Sequence, residues 1–508
     1  MSRIALSLAV FGTLQGTLSS AGSNWKFEEA YPHHYLNLKL ASNETLTIDG
    51  HLDDDAWAHA VWTEDFVDIS FHDNTSLNNV PRAFQTRVKM RWDSTYLYIG
   101  AELTEPFLWG NITGHNIVAP YHDNDFEVFI DVSGTTQYYK EFEMNILNAT
   151  YDINWGVPDG LHLNCVDNDT LASSLPVCVN TSFPGYTGNW TMYDYSGATH
   201  NGHRSGMVTA TAFDREAFGR FSGTGERNET TSVWTAEIAF PIASNWEESA
   251  SGRHGGLLDT SWSQDHSPSN YSRFDPNNGD AGSGRPVYWR IDFARAEHPR
   301  RYNLTNEDFV FCPLDCPSSL DSSTPVSLTN PTAAECHAAS QEFPTILGTD
   351  PFFGCYWEWV WQDLGPEVYM HRPTRWSMVQ FVDRSSSSRQ SVCKSIEWPG
   401  RYVARMIFEA EHAFAGINSR YTADLEQLAT EKYCSMPACN LTDLHEVLQQ
   451  PDTFEIGIEV NESKAVRYQA SVRVNVPDVR GEYAGYTIAV DDNLLMTAVH
   501  DDGVAPCL

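Results

Sequence analysis

The chain has 508 residues, 41% of them hydrophobic and 12% aromatic, with 16 Trp and 22 Tyr. That content excludes a disordered polyelectrolyte and can fill one large core or two to three smaller ones. Asp and Glu number 67 against 32 Lys and Arg, a net charge of −35; such a field repels phosphate, so no nucleic-acid partner is expected, and it suits an extracellular protein and cation binding.

In chain order, MSRIALSLAVFGTLQGTLSSAGS places Arg3 before an apolar run from Ile4 to Leu14, with Ser19-Ser20-Ala21 as a small-residue cleavage site. Residues 1–21 therefore read as a signal peptide, with a buried N-terminal helix as the competing reading. No later run reaches the roughly 18 apolar residues of a membrane span, so a secreted protein without a membrane span is expected. LTIDGHLDDDAWAHAVW (46–62) reads as a short strand, a turn at Asp49-Gly50 and a short helix carrying Ala56, Trp57 and Ala60. RVKMRWDSTYLYIGAEL (87–103) reads as a hairpin, with Val88, Met90 and Trp92 on one face and a turn at Asp93-Ser94.

The stretch YHDNDFEVFIDVSGTTQYYKEFEMNILN (121–148) alternates with period two on both sides of Ser-Gly-Thr-Thr. Phe126, Val128 and Ile130 share a face with Phe142, Met144 and Ile146 if the runs pair. Asp125, Glu127, Glu141, Glu143 and Asn145 then share the other. Like charges on neighbouring strands repel, so that face needs a ligand, an ion, internal partners or water.

Residues 158–230 and 243–284 read as long polar loops, with strands at 232–242, 286–297 and within 355–383. Many short strands without a βαβ rhythm predict a mainly β fold, an antiparallel β-sandwich of jelly-roll type over residues 40–383, with insertions. After RSSSSRQ (384–390) the period changes. Val403, Ile407, Ala410 and Phe414 recur at helical spacing, Leu425 and Leu428 carry a second helix, and FEIGIEV (454–460) and RYQASVRV (467–474) return to strands. Residues 391–508 form a smaller C-terminal α+β appendage in this reading.

Twelve Asn-X-Ser/Thr sequons, from Asn43 to Asn461, agree with an exported glycoprotein. The ten Cys all lie after residue 160. Pairs such as Cys165/Cys178, Cys312/Cys316 and Cys434/Cys439 could close short loops, and zinc ligation competes without a second spaced pair.

Seven blocks together resemble carbohydrate-binding module family 9 and, more closely, larger secreted proteins like it: IDGHLDDDAW, VKMRWDSTYLYIGAEL, HDNDFEVFID, YYKEFEMN, VWTAEIAFPI, YWRIDFARAE and MHRPTRWSMVQF. The likeness spans roughly residues 40–430. It implies a β-sandwich that binds carbohydrate between two aromatic side chains, with acidic and amide groups on the sugar hydroxyls and Ca²⁺ held by acidic loops. Tyr121 stands at the first stacking position. Met370 or His371 stands at the second, where no aromatic of that kind is kept.

The ligand-binding candidates are therefore Tyr121, Asp125, Glu127, Glu141, Glu143 and Asn145, with Asp123 and Asn124 as candidates for holding Ca²⁺. The competing readings are a solvated face and pairing with Arg87, Lys89 and Arg91 from a nearby strand. Trp109, Trp155 and the run Tyr356, Trp357, Trp359, Trp361 are further stacking candidates, whereas Trp92, Trp289 and Trp376 read as core. Two alternative functions stay open. Glu141 and Glu143, with Cα atoms about 7 Å apart on one strand face, could serve a glycoside hydrolase. The chain could also be a cell-surface structural protein that has lost sugar binding.

Overall fold

The computed structural model describes residues 30–69, 80, 84–105, 108–114, 120–137, 139–155, 207–218, 232–242, 257, 275–277, 286–297, 302–303, 308–309, 357–362, 370–383, 392–430, 441–461, 468–477, 483–501, 504 and 507. The signal-peptide segment, the serine-rich linker and the three anticipated cysteine pairs lie outside these residues.

The first unit is one long curled sheet. Its strands are β1 (His34–Lys39), β2 (Val67–Asp68), β3 (Thr86–Trp92), β4 (Tyr96–Glu105), β5 (Asp125–Asp131), β6 (Tyr139–Asn145) and β7 (Thr150–Trp155). They continue with β8 (Val208–Phe213), β9 (Ser232–Pro241), β10 (Val287–Glu297), β13 (Trp357–Val360) and β14 (Ser377–Val382). Two short strands, β11 (Tyr302–Asn303) and β12 (Asp308–Phe309), pair with each other. Across the sheet the order is β7-β6-β5-β10-β14-β1-β3-β4-β9-β8, with β13 beside β10 and β2 beside β13.

A twisted sheet this wide folds over on itself. Phe142 of β6 meets Phe240 of β9 edge to face at 5.2 Å, although six strands separate β6 from β9 in the sheet order. The Thr211 hydroxyl on β8 donates to the carbonyl of Ile146 just beyond β6 at 2.8 Å, so the two sheet ends nearly close. The result is a sandwich filled by Val88, Met90, Trp92, Phe126, Val128, Ile130, Trp234, Ile238, Trp289, Ile291 and Phe293, all fully buried.

The expected antiparallel pattern holds except at β1, which pairs parallel with both β14 and β3. The first strand inserts into the middle of the sheet, where it runs in the same direction as both neighbours. The Asp49-Gly50 turn is seated on a buried acid of β9. Both backbone N–H groups donate to Glu237 Oε2 at 2.9 Å, and Trp57 Nε1, from helix α1 (Asp55–Ala58), donates to Oε1 at 2.7 Å. Gly50 has φ of +95°, and a Cβ there would lie 2.4 Å from the backbone of Thr211, so only glycine fits.

The α+β appendage is a second core. Helix α2 (Trp398–Asn418) lays Val403, Ile407, Ala410 and Phe414 against a four-stranded sheet of β15 (Phe454–Val460), β16 (Tyr468–Pro477), β17 (Tyr483–Asp491) and β18 (Met496–His500). Short helices α3 (Leu425–Leu428) and α4 (Leu441–Leu448) flank it, the first capped by Asp424, which accepts from the Gln427 N–H. A disulfide joins Cys393 to Cys507 across 114 residues; it is a pairing the cysteine spacing did not suggest. Among the described residues no helix is long and apolar enough to cross a membrane.

Candidate functional site

Strands β5 and β6 form the expected hairpin, with Asp125 opposite Asn145, Glu127 opposite Glu143 and Phe129 opposite Glu141. Period-two alternation sends Phe126, Val128, Phe142 and Met144 into the sandwich core. It therefore turns Asp125, Glu127, Glu141, Glu143 and Asn145 to the opposite face. The solvated reading of that face fails, because all five are buried.

Basic partners from β3 do not reach this face either. Arg87 pairs with Glu102 at 2.8 Å and stacks on Trp62, Arg91 pairs with Glu44 at 2.6 Å, and Lys89 lies over Trp62 at 4.3 Å. The sheet order explains this, since β1, β14 and β10 stand between β3 and the hairpin.

The acids instead perturb one another. Burial raises Glu143 well above the usual carboxylate range, the charges of Glu141 and Asp125 raise it further, and the Glu141 and Glu143 carboxyls lie within hydrogen-bond reach. Two carboxyls so placed favour sharing a proton over ionising together. The Tyr121 backbone N–H donates to Glu143 and offsets part of the shift. Tyr121 sits in a one-turn 3₁₀ helix, Pro120–His122, and its ring is partly exposed. Its phenol is raised by burial first and then by the charges of Glu143, Glu127, Asp125 and Glu141. The hydroxyl thus stands within electrostatic reach of all four acids.

A second aromatic arrives from β7, a strand the sequence reading did not delimit. Register places Trp155 opposite Tyr139 and Tyr151 opposite Glu143, so both extend the acidic face. Trp155 is partly exposed and donates its indole N–H to Glu141 Oε2. Its ring stacks on Tyr139 at 6.2 Å and meets His371 edge-on at 4.9 Å. His371 bonds Tyr139 through Nδ1 at 2.7 Å and brings Nε2 to 3.9 Å from Glu141. The residue at the second stacking position therefore does not stack itself; it backs a tryptophan that does face the acids. Met370, Phe129, Tyr139, Ala294 and Trp376 close the face on the β10 side as an apolar cluster, which moves Trp376 out of the sandwich core. Trp359 and Trp361 lie inside that core. Trp109 is buried as well.

The remaining candidates brace the loops around the site. Asp123 Oδ2 accepts from the N–H groups of Asn111 and Ile112 and from Asn145 Nδ2, each at 2.8 Å. Asn145 Oδ1 accepts from the N–H groups of Leu147 and Ala149. Asn124 Nδ2 donates to Glu105 at 2.9 Å and to Glu297 at 2.7 Å. These bonds engage Asp123 Oδ2 and Asn124 Nδ2 with protein groups. Among the described residues no group of three or more His, Cys, Asp or Glu is placed to hold a metal ion.

Comparison with known proteins gives one family match. Residues 48–170 match the family described as carbohydrate family 9 binding domain-like, a span that includes Tyr121, the acidic hairpin and Trp155. Among solved structures, the chain is similar to a carbohydrate-binding module of family 9 from Caldicellulosiruptor kristjanssonii in complex with cellotriose. Identity is 11%, covering 71% of this chain and 98% of that one, with a TM-score of 0.26. The glucose complex of a family 9 module from the same organism gives 11% identity, 70% and 98% coverage and a TM-score of 0.27. At those scores the likenesses carry no weight for function. Among curated proteins none matches the chain.

Proposed function

We propose that this protein binds carbohydrate at the acidic face of the β5–β6–β7 layer, with a sugar ring held by Tyr121 and Trp155. The observation that carries the reading is that two partly exposed aromatic rings flank a buried group of carboxyls, inside the segment that matches the family 9-like domain. Pyranose C–H faces pack on aromatic rings, and carboxyls that share a proton can both donate to and accept from sugar hydroxyls. Glu141 and Glu143 supply both roles, with Asp125 and Glu127 as further acceptors.

Secretion and glycosylation belong to the same proposal. Asn43 and Asn111 are exposed and open to a glycan, while Asn148 spends its amide on Thr209 of β8.

The test is a glycan array on the secreted protein with and without EDTA, followed by titration of the best-binding glycan. Tyr121→Ala and Trp155→Ala should each weaken binding roughly tenfold, the loss expected for about 1.4 kcal/mol of ring contact, with the melting temperature little changed. Retained affinity in both variants would remove the rings from the site, and binding lost on EDTA treatment would point to a cation instead.

A further inference from the structure

The hairpin that carries the acids is gripped at its far end by the C-terminal appendage. Its turn, Ser133–Gln137, meets the β17–β18 connection through three hydrogen bonds. The Thr136 hydroxyl donates to the Leu494 carbonyl, Gln137 Nε2 donates to the Asn493 carbonyl at 2.8 Å, and the Met496 N–H donates to the Thr135 carbonyl at 3.1 Å. A fourth comes from α2, where Arg401 Nη1 donates to the Gly134 carbonyl. Arg401 is itself fixed by Glu397 at 2.7 Å, and Glu397 also meets His500 of β18 at 3.0 Å.

Several features show that this contact is specified rather than incidental. Thr136 and Leu494 both have positive φ, +68° and +59°, a costly backbone state for residues with a Cβ, and they face each other through one hydrogen bond. Thr136, Gln137, Asn493 and Leu494 are all buried. On the hairpin side, Asp131 at the end of β5 accepts from the N–H groups of Gly134 and Thr136 at 2.8 Å, so the turn is held from within and from without. Opposite Asp131, Arg290 of β10 donates to the carbonyls of Pro373 and Thr374, in the segment that positions His371 and Trp376. The turn and the backing of Trp155 thus share one frame.

We infer that the appendage is a positioning element for the acidic site: by clamping the 133–137 turn it sets the register and separation of β5 and β6, and hence the spacing of Glu127, Glu141 and Glu143. Thr136, Gln137 and Arg401 are its positioning residues; none of them touches the sugar. This inference rests on the functional reading for its effect on binding, but the mechanical coupling stands independently of it.

The experiment uses the full-length chain and reads two quantities. The first is amide hydrogen exchange of residues 125–131 and 139–145. The second is affinity for the best-binding glycan of the array. Thr136→Val keeps the side-chain shape and removes the donor, Gln137→Ala removes the second bond, and Thr136→Ser restores the hydroxyl. Val472→Ala, in the appendage core away from the turn, serves as a control of similar melting temperature.

Thr136→Val and Gln137→Ala together should speed exchange in both strands and weaken binding, each by roughly two- to thirtyfold, the span of couplings seen for residues outside a site. Thr136→Ser should behave as wild type, and Val472→Ala should leave hairpin exchange unchanged. Hairpin exchange that is unaltered in the double variant, or altered equally by Val472→Ala, would overturn the inference. If exchange responds as expected but no glycan binds the wild-type protein, the functional reading fails and the clamp remains.

Discussion

Arg295→Met should destabilise the sandwich by about 3–5 kcal/mol, the cost of stripping one partner from a buried ion group. Arg295 is fully buried between the layers. It reaches Glu105 at 2.7 Å and Glu297 at 2.6 Å, and it donates to the carbonyls of Phe84 and Thr104 and to the Thr86 hydroxyl. Its guanidinium also lies 5.3 Å from the Trp359 ring. One fork therefore ties β10 to β3 and β4. Burial and the charge of Glu105 raise Glu297 well above the carboxylate range, and Arg295 offsets part of that shift. Without Arg295, Glu297 loses the counter-charge that offsets its raised pKa and favours its protonated form further. The deficit of the variant should then be largest at neutral and alkaline pH and should shrink as pH falls toward the ordinary Glu pKa, because protons replace the lost counter-charge. Denaturant unfolding of both proteins at several pH values measures it. A deficit that is small, or that does not vary with pH, would mean that the fork is dispensable.

Cys393→Ser with Cys507→Ser should cost roughly 2–5 kcal/mol, the range for a native crosslink that closes a long loop; here the loop spans 114 residues. Cys393 is anchored to the sandwich, since its N–H donates to Gln380 Oε1 at 3.0 Å and its carbonyl accepts from the Tyr288 hydroxyl. Cys507 bridges back to this segment through Ser395. The bond therefore fastens the end of the appendage to the first unit. Thermal unfolding of the double variant should show a lower midpoint, and glycan affinity should fall in parallel if the appendage positions the hairpin. An unchanged midpoint would mean that the clamp and the second core hold the end of the chain without the crosslink.

The sequence disclosed the acidic hairpin and the two faces of its strands, because its alternation is strict; the register came from the structure. The sequence disclosed helix α2 for the same reason, through Val403, Ile407, Ala410 and Phe414. Several strands escaped, β1, β7 and β8 among them. HYLNLK in β1 places a fully buried Asn37 among its apolar residues, which breaks the expected polar-out pattern. VTATAF in β8 is an edge strand of small residues within a Gly- and Thr-rich stretch, where only partly buried side chains are needed. TYDINW in β7 follows the hairpin after a short turn at Asn148, whose positive φ of 58° is a feature composition does not announce.

The site was half legible. That the acids share a face follows from period two. That they are buried, and that Arg87 and Arg91 are engaged elsewhere, depends on the order of strands in the sheet, which local patterns do not determine. Trp155 stood among many aromatic candidates, and only the pairing of Tyr139 with Trp155 puts it beside Glu141. That Asp123 and Asn145 also brace the neighbouring loops was not legible, because loop-bracing side chains and ligand-binding ones are drawn from the same polar residues.

The central claim is that Glu141 and Glu143, sharing a proton, receive the hydroxyls of a sugar. Calorimetric titration of the best-binding glycan into wild type and Glu143→Gln, in EDTA and from mildly acid to mildly alkaline pH, tests it most directly. Burial and Glu141 raise Glu143 in the unliganded protein, so the shared proton is favoured on the acid side and is lost as pH rises through the raised pKa. Wild-type affinity should therefore be highest on the acid side and decline with rising pH, while Glu143→Gln, which keeps a donor but cannot ionise, should bind with little dependence on pH. Wild-type affinity that is indifferent to pH, or that strengthens with pH only when Ca²⁺ replaces EDTA, would contradict the account.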